Sequence, residues 1–273
     1  MKSFKQLRNS GVVLTLAVLA SPVHAESDAD KLAKQSANPI SNLISVPFEL
    51  NLNQNVGPQN KSLNVLNIKP VVPVALNKDW NMINRAIVPL ISQPGGPGFD
   101  RKDGLGDTTY QAFFSPSQPT AGGLIWGAGP QIQLPTHSDS RLGNDRWAAG
   151  PAVVALKISK KYLYGGLLSN VWDVTSDNSA NSPSINAMTA QPFFNYFLGD
   201  GWYLNTAPVI TADWEQNSKG ETWTVPVGGS VGRVVHWGKQ AINLRAAYYG
   251  NVAHPDEAAT YNIQFTAFFM FPK

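Results

Sequence analysis

Tyr261–Phe271 reads YNIQFTAFFMF, and the alternation within it decides the fold. Tyr261, Ile263, Phe265, Ala267, Phe269 and Phe271 fall on one face of an extended chain. Asn262, Gln264 and Thr266 fall on the other, with Phe268 and Met270 as exceptions. Successive side chains of a strand point to opposite faces, so this is a strand with one apolar and one polar side. The pattern recurs at Ile44, Val46, Phe48, Leu50 and Leu52, which alternate with Ser45, Pro47, Glu49, Asn51 and Asn53. It recurs again where Ile242, Leu244, Ala246 and Tyr248 oppose Asn243, Arg245 and Tyr249.

Working outward, runs of similar texture follow one another from Pro39 to the end. They predict strands near 43–54, 62–76, 81–93, 105–115, 122–134, 147–158, 161–172, 186–198, 202–213, 222–235, 240–250 and 260–271. Each is long enough for a tilted strand to cross a bilayer, which takes about 9–11 residues. The connections alternate in length. Asn55–Lys61, Pro94–Gly104, Pro135–Arg146, Asp173–Ile185, Trp214–Glu221 and Asn251–Ala259 are long. Those at Asn77–Asp79, Pro116–Ala121, Ser159–Lys161, Gly199–Gly201 and His236–Lys239 are short. Short periplasmic turns and long external loops are the asymmetry of bacterial outer-membrane barrels. Trp80, Trp126, Trp147, Tyr162, Trp172, Trp202, Trp214, Trp223 and Trp237 cluster at strand ends, as interfacial girdles require.

Composition agrees. Charged residues are 14% of the chain and hydrophobic residues 43%, so uncharged polar residues fill the difference. A barrel whose outer face excludes charge and whose lumen is polar has that balance. The expected fold class is therefore all-β, a single-chain antiparallel transmembrane β-barrel of about 12 strands, in the outer membrane of a Gram-negative bacterium. Prolines at 47, 70, 73, 89, 130, 151, 192, 208 and 226 oppose a regular ladder and must mark bulges, strand ends or a more irregular sheet.

The first 25 residues read as a secretory signal. Lys2, Lys5 and Arg8 precede the apolar run Val12–Ala20, and Val23-His24-Ala25 offers a small residue for cleavage. Residues 26–41 are expected to be a short periplasmic segment, either a helix with Asp28 or Asp30 as the cap and Asn38-Pro39 as the stop or a disordered lead; the barrel occupies 42–273. The whole chain carries 21 Lys+Arg against 18 Asp+Glu, and loss of the signal leaves 18 against 18. A neutral chain argues against nucleic acid as a partner. There is no cysteine, so thiolate chemistry is excluded.

Ala33–Asn51 (AKQSANPISNLISVPFELN), Gly104–Pro116 (GLGDTTYQAFFSP), Gly122–Pro135 (GGLIWGAGPQIQLP) and Gly199–Tyr203 (GDGWY) resemble a family of Gram-negative outer-membrane β-barrels. That family is associated with the phenol meta-degradation pathway and with transport. The resemblance covers almost all of residues 26–273 and implies a single-chain outer-membrane barrel with a transport role. It implies no defined substrate and no catalytic residues. The chain departs from the usual outer-membrane end signal, because Pro272-Lys273 follows Phe271.

Polar positions on the inward register are the candidate lumen lining: Glu49, Lys69, Arg85, Asp107, Gln131, Gln133, Lys157, Arg233 and Arg245. An ionisable group at membrane depth must face the interior. Two readings stand, a weakly selective polar passage or a closed interior salt-bridge network. Phe268, Met270 and the long loops could obstruct the bore.

Enzyme signals are thin, and no catalytic residue, cofactor or metal is expected. His24 lies in the signal, while His137, His236 and His254 lie in connections. His137-Ser138-Asp139 places three suggestive types side by side, but a catalytic triad is set in space rather than along the chain. Pro94–Gly98 lacks the lysine of a phosphate loop. Asp100 with Asp103, or Asp173 with Asp177, falls short of the six or more oxygens a calcium ion takes. The function classes left are an outer-membrane transporter or channel for small molecules, a non-conducting structural or surface-interaction barrel, and a soluble periplasmic β-protein. Expected partners are outer-membrane lipid and lipopolysaccharide, a small-molecule substrate and, during biogenesis, the outer-membrane assembly machinery.

Overall fold

The computed structural model describes residues 26–175, 182–216 and 221–272. The signal expected at 1–25 and Asp177 lie outside these residues. Among the described residues a single helix, α1 (Asp28–Ala37), precedes fifteen strands. These are β1 (Ile44–Val56), β2 (Lys61–Ile68), β3 (Val71–Ala75), β4 (Trp80–Gln93), β5 (Lys102–Leu105), β6 (Thr108–Pro116), β7 (Leu124–Leu134) and β8 (Ala148–Ile158). They continue as β9 (Tyr162–Asp173), β10 (Asn186–Gly199), β11 (Trp202–Thr206), β12 (Ile210–Asp213), β13 (Trp223–Trp237), β14 (Gln240–Ala253) and β15 (Tyr261–Phe271).

β2 with β3, β5 with β6, and β11 with β12 are single staves, each interrupted once, so the wall has twelve staves. Every stave pairs antiparallel with its neighbours, and β15 returns to β1 from Ile44↔Phe271 to Gln54↔Tyr261. The sheet is closed and has no open edge. The twelve sequence runs match the staves, and the three interruptions are what the pattern did not reveal.

Those interruptions account for most of the prolines. Pro70 lies in the β2–β3 break, and across it the Lys69 N–H donates to the Pro47 carbonyl at 2.9 Å. Pro89 faces the β5–β6 break, where the Gly106 N–H donates to its carbonyl at 2.9 Å. Pro192 lies opposite the β11–β12 break that holds Pro208, since Phe194↔Thr206 and Ala190↔Ile210 flank it. Pro130 and Pro151 face each other across β7 and β8. Pro226 sits at a register shift against β14. Pro73 is in β3, whose one ladder pair with β1 is Ser45↔Val71. Grouping residues that lack a donor leaves the fewest carbonyls without a partner.

The apolar face of each strand points outward. In β15 Phe265 is 50% exposed while Thr266 is buried, and in β1 Ser45 and Glu49 are buried. Leu168, Phe194, Leu204, Leu244 and Tyr248 are also exposed on the outer surface. A soluble β-protein buries such residues, so the soluble alternative is set aside. Aromatics form two belts. Trp80, Trp126, Tyr162, Trp202 and Trp237 lie at the short-turn end, and Trp147, Trp172, Trp214 and Trp223 at the long-loop end. Trp80 packs edge-on against Trp126, and Trp214 against Trp223.

Helix α1 occupies the interior of the short-turn end. Its N-cap is Ser27, not Asp28 or Asp30; Asp30 at N3 completes a capping box. Asn38 ends it, as the sequence indicates. Leu32 and Ala33, with Ile40 and Leu43 beyond the helix, are buried in one cluster with Ile83, Phe113, Leu156, Leu163, Phe197, Val234 and Met270. Those partners come from staves around the whole ring and all lie near the short turns. The lumen is therefore apolar at this end and polar further in. Phe268 and Met270, which break the alternation of β15, point inward here, and Met270 is part of the seat for the helix.

Candidate functional site

Beyond the helix, toward the long loops, lies a cavity of about 140 Å³. Its floor is Gln35–Asn38 at the end of α1, and its walls include Glu49, Lys69, Arg85, Tyr203, Asn243 and Arg245. Glu49 comes from the inward register of β1, Lys69 from the β2–β3 break, Arg85 from β4 and Arg245 from β14. The Glu49 carboxylate pairs with Lys69 Nζ and accepts from Arg245 Nη2 at 3.3 Å. Arg245 also donates to Gln264 at 3.1 Å and to Thr266 at 3.4 Å. Arg85 lies 5.9 Å from the Phe113 ring centroid, and its Nη1 is buried with no hydrogen-bond partner among the described residues. Four charged side chains thus line the cavity, three cations and one carboxylate.

The rest of the inward polar face is neutral and largely paired across strands. Gln111 donates to Gln131 at 2.7 Å, Gln264 to Asn51 at 3.0 Å, Asn262 to Asn53 at 2.7 Å and Asn205 to Asn195 at 3.1 Å. Gln133 shares the inward register of Gln131. Cross-strand amide pairs satisfy polar groups that face away from lipid without introducing charge.

Two sequence candidates are placed elsewhere. Lys157 and Arg233 stand on the outer face, because Val154 and Leu156 in β8 and Gly232 and Val234 in β13 hold the inward register. Both lie near the short turns, where a long cation reaches the headgroup zone from the lipid side. The Arg233 guanidinium stacks 4.9 Å from the Trp202 ring. Alternation by two was read correctly in these strands, but the phase was set a residue off. Asp107, at the β5–β6 break, belongs to the external loops. It accepts from His137 Nδ1 at 2.7 Å and from the Asn144 N–H at 2.6 Å.

The same loop cluster holds the three residues that stand side by side in His137-Ser138-Asp139. Both His137 ring nitrogens face carboxylates, Asp107 and, at 3.1 Å, Asp145. Both can donate only in the charged imidazolium. The hydrogen bond to Asp107 accordingly holds the His137 pKa above its usual 6.5. The Ser138 hydroxyl accepts from the Leu105 N–H at 3.0 Å. Asp139 takes Arg141 at 3.1 Å and Lys102 at 2.8 Å, which hold its carboxyl below the usual range. Asp103 pairs with Arg101 at 3.0 Å.

Sequence reasoning missed Tyr203, Asn243 and Gln111. Asn243 is 2% exposed, accepts from the Tyr203 hydroxyl at 2.8 Å and donates to Ser36 of α1 at 2.8 Å. The alternation in β14 already placed it on the polar face; weighting charge over neutral amides passed it by.

The fold and the lined interior define a class: single-chain, twelve-stranded barrels of the bacterial outer-membrane type. The chain is similar in structure to an outer-membrane channel from Pseudomonas putida F1, with TM-score 0.63 and 16% identity over 84% of this chain and 95% of that one. It also aligns with the outer-membrane phospholipase dimer of Salmonella typhi with bound calcium, at TM-score 0.48 and 11% identity over 84% of this chain and 91% of that one. The sequence matches no protein-family model and no curated protein.

Proposed function

We propose that this barrel is an outer-membrane channel for small molecules, with α1 as a stopper at the periplasmic end of the lumen. The observation that carries the reading is the cavity lined by Glu49, Lys69, Arg85 and Arg245, floored by Gln35–Asn38 of the helix. A barrel that served as a scaffold alone has no use for charges at that depth, which are costly to bury. A solved barrel of similar fold, described as an outer-membrane channel, supports the same reading. In it, residues 1–25 are the export signal and the lipid-facing belts contact phospholipid and lipopolysaccharide. Insertion proceeds through the outer-membrane assembly machinery. The tie to phenol meta-degradation comes from the resemblance of Ala33–Asn51 and the other quoted segments alone. No chemical step on a substrate is assigned to the chain.

A second reading, a non-conducting surface-interaction barrel, is favoured by the order at the long-loop end. There Arg146 pairs with Asp173 at 2.5 Å and His137 bridges Asp107 and Asp145. Single-channel recording in a planar bilayer separates the two. The intact chain is expected to give small or intermittent currents, and a variant lacking residues 26–41 larger and steadier ones. Silence of both at every voltage, with both shown to be folded by heat-modifiable gel mobility, would overturn the channel reading.

A further inference from the structure

We propose that the cavity above α1 is a binding site for a small organic carboxylate. The charge balance is the first ground. Lys69, Arg85 and Arg245 face the cavity with Glu49 as their one counter-charge, so the lining has two cations in excess. The second is hydrogen bonding. Arg85 Nη1 and Arg245 Nε are both buried without a partner among the described residues. A guanidinium carries five donors in a planar fork and meets a carboxylate with two parallel bonds. Leaving such donors unmet is costly at membrane depth, and an oxyanion in the cavity supplies acceptors.

The third ground is the remainder of the lining. Phe193, Tyr203, Phe268 and Val71 border the same space as the cations. A carboxylate group at Arg85, with Lys69 and Arg245 alongside, leaves an apolar body against those side chains. At about 140 Å³ the cavity suits a compact molecule, since drug-sized pockets run to roughly 300–1,000 Å³. Cross-strand amide pairs such as Asn195–Asn205 rim one side and present no competing carboxylate. The site deepens the channel reading by naming the class of solute, and it rests on that reading only for its physiological use.

Benzoate and benzamide are suitable probes, because they are nearly equal in volume and differ in charge. Binding to the full chain in detergent micelles is measured by saturation-transfer NMR and calorimetry, with no need for conduction. Benzoate is expected to bind at least about tenfold more tightly than benzamide. Arg85→Met should weaken benzoate about tenfold, and Arg85→Lys, which keeps the charge but loses the planar fork, by several-fold but less than Arg85→Met. If Arg85→Met does not reach the heat-modifiable folded form, Arg85→Gln, a smaller polar replacement, takes its place. Equal binding of the two probes, binding of neither, or benzoate affinity unchanged by loss of the Arg85 charge overturns the site. Conductance without benzoate preference removes the site and leaves the channel; benzoate binding by a silent barrel does the reverse.

Discussion

Asn243 of β14 holds Ser36 of α1 at 2.8 Å with its amide nitrogen while its amide oxygen accepts from Tyr203 at 2.8 Å. One buried side chain thus ties the wall of the barrel to the helix within it. A second tie lies near the other end of the helix, where the Gly201 N–H donates to Asp30 at 2.8 Å. The remaining hold on α1 is the Lys34 ammonium, 5.6 Å from the Phe197 ring centroid, and apolar packing through Leu32 and Ala33. A few polar contacts and a short apolar stripe hold the helix, so point substitutions are expected to loosen it.

Asn243→Leu should loosen the helix without unfolding the barrel. The change leaves the buried Tyr203 hydroxyl unpaired, at about 1–3 kcal/mol, and removes the donor to Ser36, whose hydroxyl keeps its bond to the Ala33 carbonyl. Trypsin cleavage at Lys31 and Lys34 in micelles is expected to speed up about tenfold or more, while the heat-modifiable band is retained. An unchanged cleavage rate would count against this tie.

Gly201→Val attacks the second tie through the backbone. Gly201 has φ +75°, and an added Cβ would come within 2.8 Å of the Val234 carbonyl and 3.1 Å of Ala29 Cβ. A β-branched residue in that conformation costs about 1–3 kcal/mol, and the clash with Ala29 presses on the helix. Hydrogen exchange should rise in residues 28–37 before it rises in β14.

Phe265→Arg tests which face meets lipid. Phe265 is half exposed at the middle of β15, and an arginine near the bilayer midplane costs about 2–4 kcal/mol. Lys157→Leu, on the same face but near a short turn, should alter stability by less than about 1 kcal/mol. Urea titration of folding into phospholipid vesicles gives both numbers. Equal effects would mean the outward face is not in the membrane as described.

The external loops should loosen as pH rises. The hydrogen bond from His137 to Asp107 raises the histidine pKa above 6.5 in the folded state. A raised folded pKa gives stabilisation that is complete below the unfolded value and is lost as pH climbs through the folded one. Amide exchange in residues 135–146, corrected for its intrinsic pH dependence, should therefore show more protection near pH 5.5 than near pH 8.5. His137→Ala should abolish the difference.

Glu49→Gln removes the one carboxylate of the cavity and leaves Lys69, Arg85 and Arg245 in place. In a potassium chloride gradient the reversal potential should shift toward anion preference. Loss of a partner from a buried ion pair costs about 3–5 kcal/mol, so folding must be checked alongside. A reversal potential identical to that of the unaltered chain would place the conduction path away from Glu49.

Strand number, closure and loop asymmetry were legible because each rests on local information. Tyr261–Phe271 and Ile44–Asn53 show their two faces residue by residue, and the spacing of Gly199–Gly201 and similar turns counts the staves. The candidate site was legible in part. Glu49, Lys69, Arg85 and Arg245 could be picked as ionisable groups on polar registers, and the cavity draws on all of them. Lys157 and Arg233 could not be sorted, since a strand end tolerates a cation on either face and alternation alone does not say where the phase begins. The breaks at Lys69-Pro70, Gly106-Asp107 and Pro208 were hidden, because an interruption is defined by the neighbouring strand as much as by its own residues.

The sequence by itself determined that this chain closes a sheet with an apolar outside and a polar inside. Period-two patterning, scarce charge and alternating loop lengths are properties of short stretches, and no partner is needed to read them. Only the tertiary structure decided that Phe268 and Met270 break the alternation at the end where the bore receives α1, with Met270 packed into the helix seat. It likewise brought Arg245, from β14 near the end of the chain, to one cavity with Glu49, Lys69 and Arg85 of the first three staves, because β15 closes onto β1. The physical reason is common to both. A strand's face is set by its own pleat, whereas what that face meets across the lumen depends on closure of the whole ring.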